Sequence, residues 1–158
     1  MINVRKAKAS DIERIMVLLS EVLEVHADLR PDLFIFGTTK YTKEELGKII
    51  SNENTPVFVA ADEQDSVVGY AFCVIENTAE TPNMHKVKTL YIDDVCVDEN
   101  VRGKHIGSTV YKFVLDYAKS IGCYNVTLNV WEGNDNARKF YEKSGMFVRK
   151  TQMEVILK

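Results

Sequence analysis

Six residues, Arg102-Gly103-Lys104-His105-Ile106-Gly107, combine two cations with two glycines, and they fall between an apolar run ending at Val97 and the amphipathic run that opens Ser108-Thr109-Val110-Tyr111. Strand, glycine-bearing turn and helix in that order make an anion site. The first N–H groups of a helix have no intrahelical acceptor, and the helix dipole adds partial positive charge there, so phosphate oxygens are held without any particular side chain. Glycine lets a ligand approach the main chain closely. Other nucleotide motifs fit worse: a P-loop needs a lysine directly before its Ser or Thr, which Gly107-Ser108-Thr109 lacks, and no Gly-x-Gly-x-x-Gly is present.

The other reactive side chains read quietly. Cys73, Cys96 and Cys123 are an odd set without a C-x-x-C pair, so neither a disulfide framework nor a zinc site is indicated, and reduced cytoplasmic thiols are expected. No base stands near Cys96, which reads as a buried strand cysteine rather than a nucleophile. His26 and His85 have no cysteine or carboxylate at ligand spacing, so no metal is expected.

The elements that position the anion turn fill the chain. At 158 residues one domain, 1–158, with a real core is expected, and 46% hydrophobic with 27% charged residues suits a soluble globular protein rather than a disordered one. A net charge of −3 offers a polyanion no broad attraction, which argues against a nucleic-acid partner. The longest apolar run, Val67 to Ile75, is too short to span a bilayer, and the first residues lack the apolar region of a signal peptide, so no membrane partner and a cytoplasmic location are expected.

Ile2 to Ala7 suits a strand. Ser10-Asp11-Ile12-Glu13 has the form of a capping box, and Ile12, Ile15, Met16, Leu19, Val22 and Leu23 continue on one helical face to about His26, with Pro31 beyond. Leu29 to Tyr41 is apolar but aperiodic and reads as a flap; Thr42-Lys43-Glu44-Glu45 is a second capping box opening a short helix. Val57–Ala61, Val67–Ile75 and His85–Val97 read as a three-strand meander. A helix from Ile106 stops at Gly122, Tyr124–Trp131 returns as a strand beside the one ending at Val97, Asn134 caps a helix over Ala137–Ser144, and Phe147–Leu157 supplies one or two edge strands. The result is an α/β fold with one mixed, mostly antiparallel sheet and helices on both faces.

Arg102-x-x-x-x-Gly107, followed after a strand by Asn134-x-x-Ala137-x-x-x-Tyr141-x-x-x-Gly145, resembles the signature of the GNAT superfamily of N-acetyltransferases, with His105 where glycine is usual and Met146 where phenylalanine is usual. The element order extends the resemblance over the whole chain. It implies a GNAT-like fold whose sheet splays between the strand ending at Val97 and the strand starting near Tyr124, with acetyl-CoA in the splay. The main chain at Val95, Cys96 and Val97 would pair with the pantetheine arm, the turn Arg102, Gly103, Lys104, His105, Ile106, Gly107 and Ser108 would hold the diphosphate, and Asn134 would contact the arm's far side.

The resemblance also assigns chemistry. Acetylation requires an alkylammonium, pKa near ~10.4, to lose a proton and the leaving thiolate to gain one. Tyr141 stands at the family's acid position; elsewhere it would read as an amphipathic core tyrosine. The usual glutamate base is replaced by Asn129, whereas Leu90-Tyr91-Ile92-Asp93-Asp94-Val95-Cys96-Val97 looks like the polyamine acetyltransferase branch, in which the acid at the Asp93 position is the proposed base. A carboxylate near pKa ~4 matches an alkylammonium poorly, leaving a water relay, a raised pKa or simple cation binding open. Asp94, and His26 and Phe34 of the flap, are candidate substrate-binding residues. The implied activity is acetyl transfer to an amine of a small molecule or peptide, with homodimerisation a family habit; the alternative, motivated by Asn129, is a non-catalytic acyl-CoA-binding regulatory module.

Overall fold

The computed structural model describes residues 1–157. Strand β1 (Asn3–Lys6) leads into helix α1 (Ile12–Leu29) through a 3-10 turn at Ala9–Asp11. The helix begins differently from the expected Ser10 box. Asp11 is the residue that accepts, taking the Lys8 main-chain N–H at 2.7 Å and two bonds from the Arg5 guanidinium at 2.8 and 3.1 Å. That bidentate ion pair ties the helix start to β1 and explains why the aspartate displaces the serine as cap. The helix runs to Leu29, two residues short of Pro31, and the flap that follows is irregular as expected. Helix α2 (Lys43–Ser51) carries its capping box in full: Thr42 Oγ1 accepts from the Glu45 N–H at 3.2 Å while the Thr42 N–H donates to Glu45 Oε2 at 2.8 Å.

Strands β2 (Val57–Ala61), β3 (Val67–Thr78) and β4 (Val87–Val97) form the meander, followed by α3 (Ile106–Ser120), β5 (Asn125–Leu128) and α4 (Asp135–Lys143). The sheet order is β1-β2-β3-β4-β5, antiparallel except for the parallel β4–β5 pair that the α3 crossover requires. Two apolar cores lie on its two faces. Leu90, Ile92, Phe58 and Ala71 pack with Ile106, Val110 and Val114 of α3, whereas Val57, Val59, Tyr70, Phe72 and Cys96 pack with Ile15, Leu18 and Leu19 of α1 and Leu46 of α2. No helix among the described residues is long and apolar enough to cross a membrane.

The expected edge strands at Phe147–Leu157 are absent: this segment makes neither ladder nor helix and is exposed throughout. A strand needs a neighbour to accept its main-chain groups, and the outer edge of β5 does not pair with it within the chain.

Candidate active site

The β3–β4 register slips once. Phe72 faces Asp94 and Cys73 faces Ile92, which leaves Asp93 without an opposite residue. Such a bulge inserts one residue and changes which face the following side chains take. Upstream, Leu90 and Ile92 enter the core beneath α3; downstream, Val95 and Val97 do so while Cys96 turns to the other face. Alternation would send adjacent carboxylates to opposite sides, yet both aspartates here meet residues of the α1–α2 side. Asp93 accepts from Lys40 Nζ at 2.7 Å and from the Tyr41 hydroxyl at 3.0 Å, and Asp94 accepts from the Tyr70 hydroxyl at 3.0 Å. Burial pushes the Asp94 carboxyl up to about 6, against the Tyr70 bond, which favours its ionised form. One carboxylate is thus neutralised by a cation, and its neighbour titrates near neutrality.

At the same place β4 and β5 part. Their pairing runs from Thr89 with Asn125 to Ile92 with Leu128, so residues 93–97 have no ladder partner on the β5 side. Tyr141 packs by edge-to-face contact on Tyr111 and Phe140, with ring centroids 5.8 and 5.1 Å away. Burial, and secondly the charge of Asp94, push its hydroxyl up to about 12, so at neutral pH it holds its proton and can donate it. Asn129 donates from Nδ2 to the Tyr91 hydroxyl at 3.0 Å.

Beyond β4, a 3-10 turn at Glu99–Val101 delivers the chain to the anion turn. Gly103 has φ +84°, and a Cβ added there would meet nothing within 4 Å; His105 caps α3 from the left-handed region at φ +58°, which histidine tolerates better than branched residues do. The N–H groups of residues 103–108 have no acceptor among the described residues. Six consecutive free donors at a helix start, flanked by the exposed Arg102 and Lys104, fit a diphosphate. Ile106 is buried and offers its main chain alone, while Gly107 leaves room for Phe140 and Val97, whose atoms stand 3.7 to 3.9 Å from where its Cβ would lie. Asn134 caps α4, its Oδ1 accepting from the Ala137 N–H at 3.4 Å.

The flap residues form a second group. His26 and Phe34 lie 5.2 Å apart, Phe34 meets Trp131 edge-on at 5.6 Å, and the Arg30 guanidinium stands 5.8 Å from the Trp131 ring. Burial, and secondly the charge of Lys40, lower the His26 pKa, which favours the neutral ring. Cys96 is buried, its thiol reaching the Leu18 carbonyl at 3.6 Å and pushed up to about 12 chiefly by burial, which removes it as a nucleophile.

Sequence reasoning missed Lys40 and Tyr70, and it set Trp131 aside from chemistry. Nothing local marks Lys40; Tyr70 could have been suspected as the one hydroxyl in the apolar run Val67 to Phe72.

Residues 22–146 match the model of the acetyltransferase (GNAT) family. A 66-residue stretch is 44% identical to glucosamine 6-phosphate N-acetyltransferase of Arabidopsis thaliana, spanning 42% of this chain and 42% of that enzyme. The chain is also 27% identical over 154 residues to thialysine N-epsilon-acetyltransferase of Bos taurus, covering 91% of this chain and 83% of the other. Among solved structures, a variant of the BH1408 protein of Bacillus halodurans superposes with a TM-score of 0.93 at 31% identity, over 98% of this chain and 99% of that one. The Arabidopsis enzyme superposes at 0.67 with 28% identity over 100% and 99%. With the splay, the six free amides and this match over most of its length, the chain belongs to the GNAT family of acetyltransferases.

Proposed function

We propose that this protein moves the acetyl group of acetyl-CoA directly to a primary amine of a small molecule or peptide, both being bound at once. The observation that carries the reading is a crevice with six free amides at one end and the Asp93–Asp94 pair at its other, where β4 leaves β5. The names of the relatives, which act on glucosamine 6-phosphate and thialysine, support an amine acceptor.

Acetyl-CoA supplies an acyl group activated on sulfur. The N–H groups of residues 103–108, with Arg102 and Lys104, hold its diphosphate, and the unpaired main chain of Val95, Cys96 and Val97 takes the pantetheine arm, with Asn134 contributing the amide nitrogen its cap leaves free. Asp93 binds the acceptor's ammonium, the role its contact with Lys40 foreshadows. Asp93 stays the expected base, directly or through water, and Asp94, raised to about 6, is a second candidate because it takes a proton more readily than an ordinary carboxylate does. Tyr141 gives its proton to the departing sulfur. His26, Phe34 and Trp131 wall the acceptor side. Three free thiols support a reducing, cytoplasmic setting, and we propose a homodimer as the working form.

Incubating the protein with acetyl-CoA, a thiol reagent and a panel of amines tests this, with coenzyme A binding measured by calorimetry in parallel. Amine-dependent thiol release is expected. Binding without amine-dependent release would instead make the chain an acyl-CoA-binding module, the reading that Asn129 favours.

A further inference from the structure

Lys40 belongs to the irregular flap between α1 and α2, yet its ammonium reaches the crevice. Its Nζ donates to Asp93 Oδ2 at 2.7 Å, and the Tyr41 hydroxyl donates to the same oxygen at 3.0 Å. Other paired lysines differ. Lys8, Lys43, Lys112 and Lys150 meet carboxylates that are 55% exposed or more, as surface ion pairs do, whereas the Asp93 side chain is 21% exposed. Asp93 is also the first β4 residue past the last β5 pair, Ile92 with Leu128, which puts the flap ammonium at the point where the sheet opens. Tyr141 serves that same end, since the charge of Asp94 acts on its hydroxyl. Lys40 therefore occupies the position given above to the acceptor's own ammonium.

We propose that Lys40 is an acceptor built into the chain: when no free amine is bound, the protein acetylates its own Lys40 Nζ from acetyl-CoA. This rests on the acetyl-transfer reading above, and its balance is that of any amine. Lys40 gives one ammonium proton to Asp93, directly or through water, and the freed lone pair of Nζ attacks the thioester carbonyl carbon. As the C–N bond forms and the C–S bond breaks, the nitrogen loses a second proton to solvent and the departing sulfur takes the proton of Tyr141. Water reprotonates the phenolate, and acetyl-lysine, free thiol and one released proton remain. Burial lowers the Lys40 pKa, but the bond to Asp93 and the charge of that carboxylate outweigh it and hold the pKa above the ordinary lysine value. Lys40 thus stays charged and seated on Asp93 at neutral pH, and the scarcity of its neutral form makes the modification slow. A free amine competes for the same carboxylate and suppresses it.

The test incubates the full chain with excess isotopically labelled acetyl-CoA and no amine, maps the label by mass spectrometry of its peptides, and measures amine-dependent thiol release on the same preparation. Lys43, close by in sequence and 54% exposed, is the internal control for uncatalysed acetylation. Label is expected on Lys40 at a rate roughly 10²-fold above that on Lys43, slowed by a similar factor in Tyr141→Phe and independent of protein concentration. Equal label on the two lysines, or an unchanged rate in Tyr141→Phe, overturns the proposal, as does a rate per chain that rises with concentration, which places Lys40 in another molecule's crevice. Thiol release with an amine but no label on Lys40 overturns it and leaves the acetyl-transfer reading standing; neither label nor release overturns both. Should Tyr141→Phe fail to fold, the ratio of label on Lys40 to that on Lys43 decides alone.

Discussion

Replacing Asp94 by asparagine should make the protein more stable and less active, and the size of the first effect should follow pH. The carboxyl is raised from 3.8 to about 6 because burial penalises its charged form. A group whose folded pKa lies above its unfolded value binds its proton more tightly when folded, so its contribution is complete below pH 3.8 and is lost as pH rises through 6. Taking 1.36 kcal/mol per pH unit, the ionised carboxylate costs the folded state about 3 kcal/mol above pH 7 and roughly half of that at pH 5. Asparagine has nearly the same shape, stays neutral, and can still accept the Tyr70 hydroxyl that now bonds Asp94 at 3.0 Å. Thermal unfolding of both proteins between pH 5 and 8 is the assay. The variant should lead at every pH, its lead growing up to pH 7 and then levelling at roughly 5–10 °C for a chain of this size. Acetyl transfer should fall at the same time, as expected where an active site keeps a destabilised group. A lead that does not change with pH, or a variant less stable at pH 8, would refute the account of Asp94 as a buried carboxylate held ionised at the protein's expense.

Two further outcomes follow from the site. Tyr141→Phe keeps the contacts with Tyr111 and Phe140 and removes only the proton, so steady-state kinetics should show kcat reduced roughly 10²–10⁴-fold with coenzyme A binding intact; unchanged turnover would remove Tyr141 from the chemistry. Gly69→Ala puts a Cβ 2.9 Å from the Cys96 carbonyl oxygen, which forces β4 to shift just past the bulge. A loss of about 1–3 kcal/mol in denaturant unfolding, with weaker coenzyme A binding by calorimetry, is expected, and wild-type affinity in that variant would show that the Val95–Val97 main chain does not hold the arm.

Much of this was legible in the chain itself. Thr42 and Glu45 predicted their reciprocal bonds, Gly103 and Gly107 marked the turn, and the apolar alternation gave the meander, because each of these signals is carried by residues a few positions apart. Three features were not legible, and each depends on a partner distant in sequence. Ser10 looked like a cap until Arg5 claimed Asp11. Phe147–Leu157 has the composition of a strand but pairs with no strand among the described residues. The bulge is set by how β3 and β4 align over ten residue pairs, and nothing in Asp93-Asp94 announces it. For that reason the two carboxylates could be seen as candidates while their division of labour, one against Lys40 and the other against Tyr70, could not.

The bulge also sets how the strand answers the loss of a residue. The apolar positions that face α3 are even-numbered through Ile92 and odd-numbered from Val95 onward, so Asp93 acts as a phase shift between two otherwise regular patterns. Excising that single aspartate would not merely delete a charge. It would restore a uniform alternation in which Leu90, Ile92, Val95 and Val97 still face α3 and Asp94 keeps the side of its tyrosine, so the core stays in phase while the acid that Lys40 and Tyr41 hold is gone.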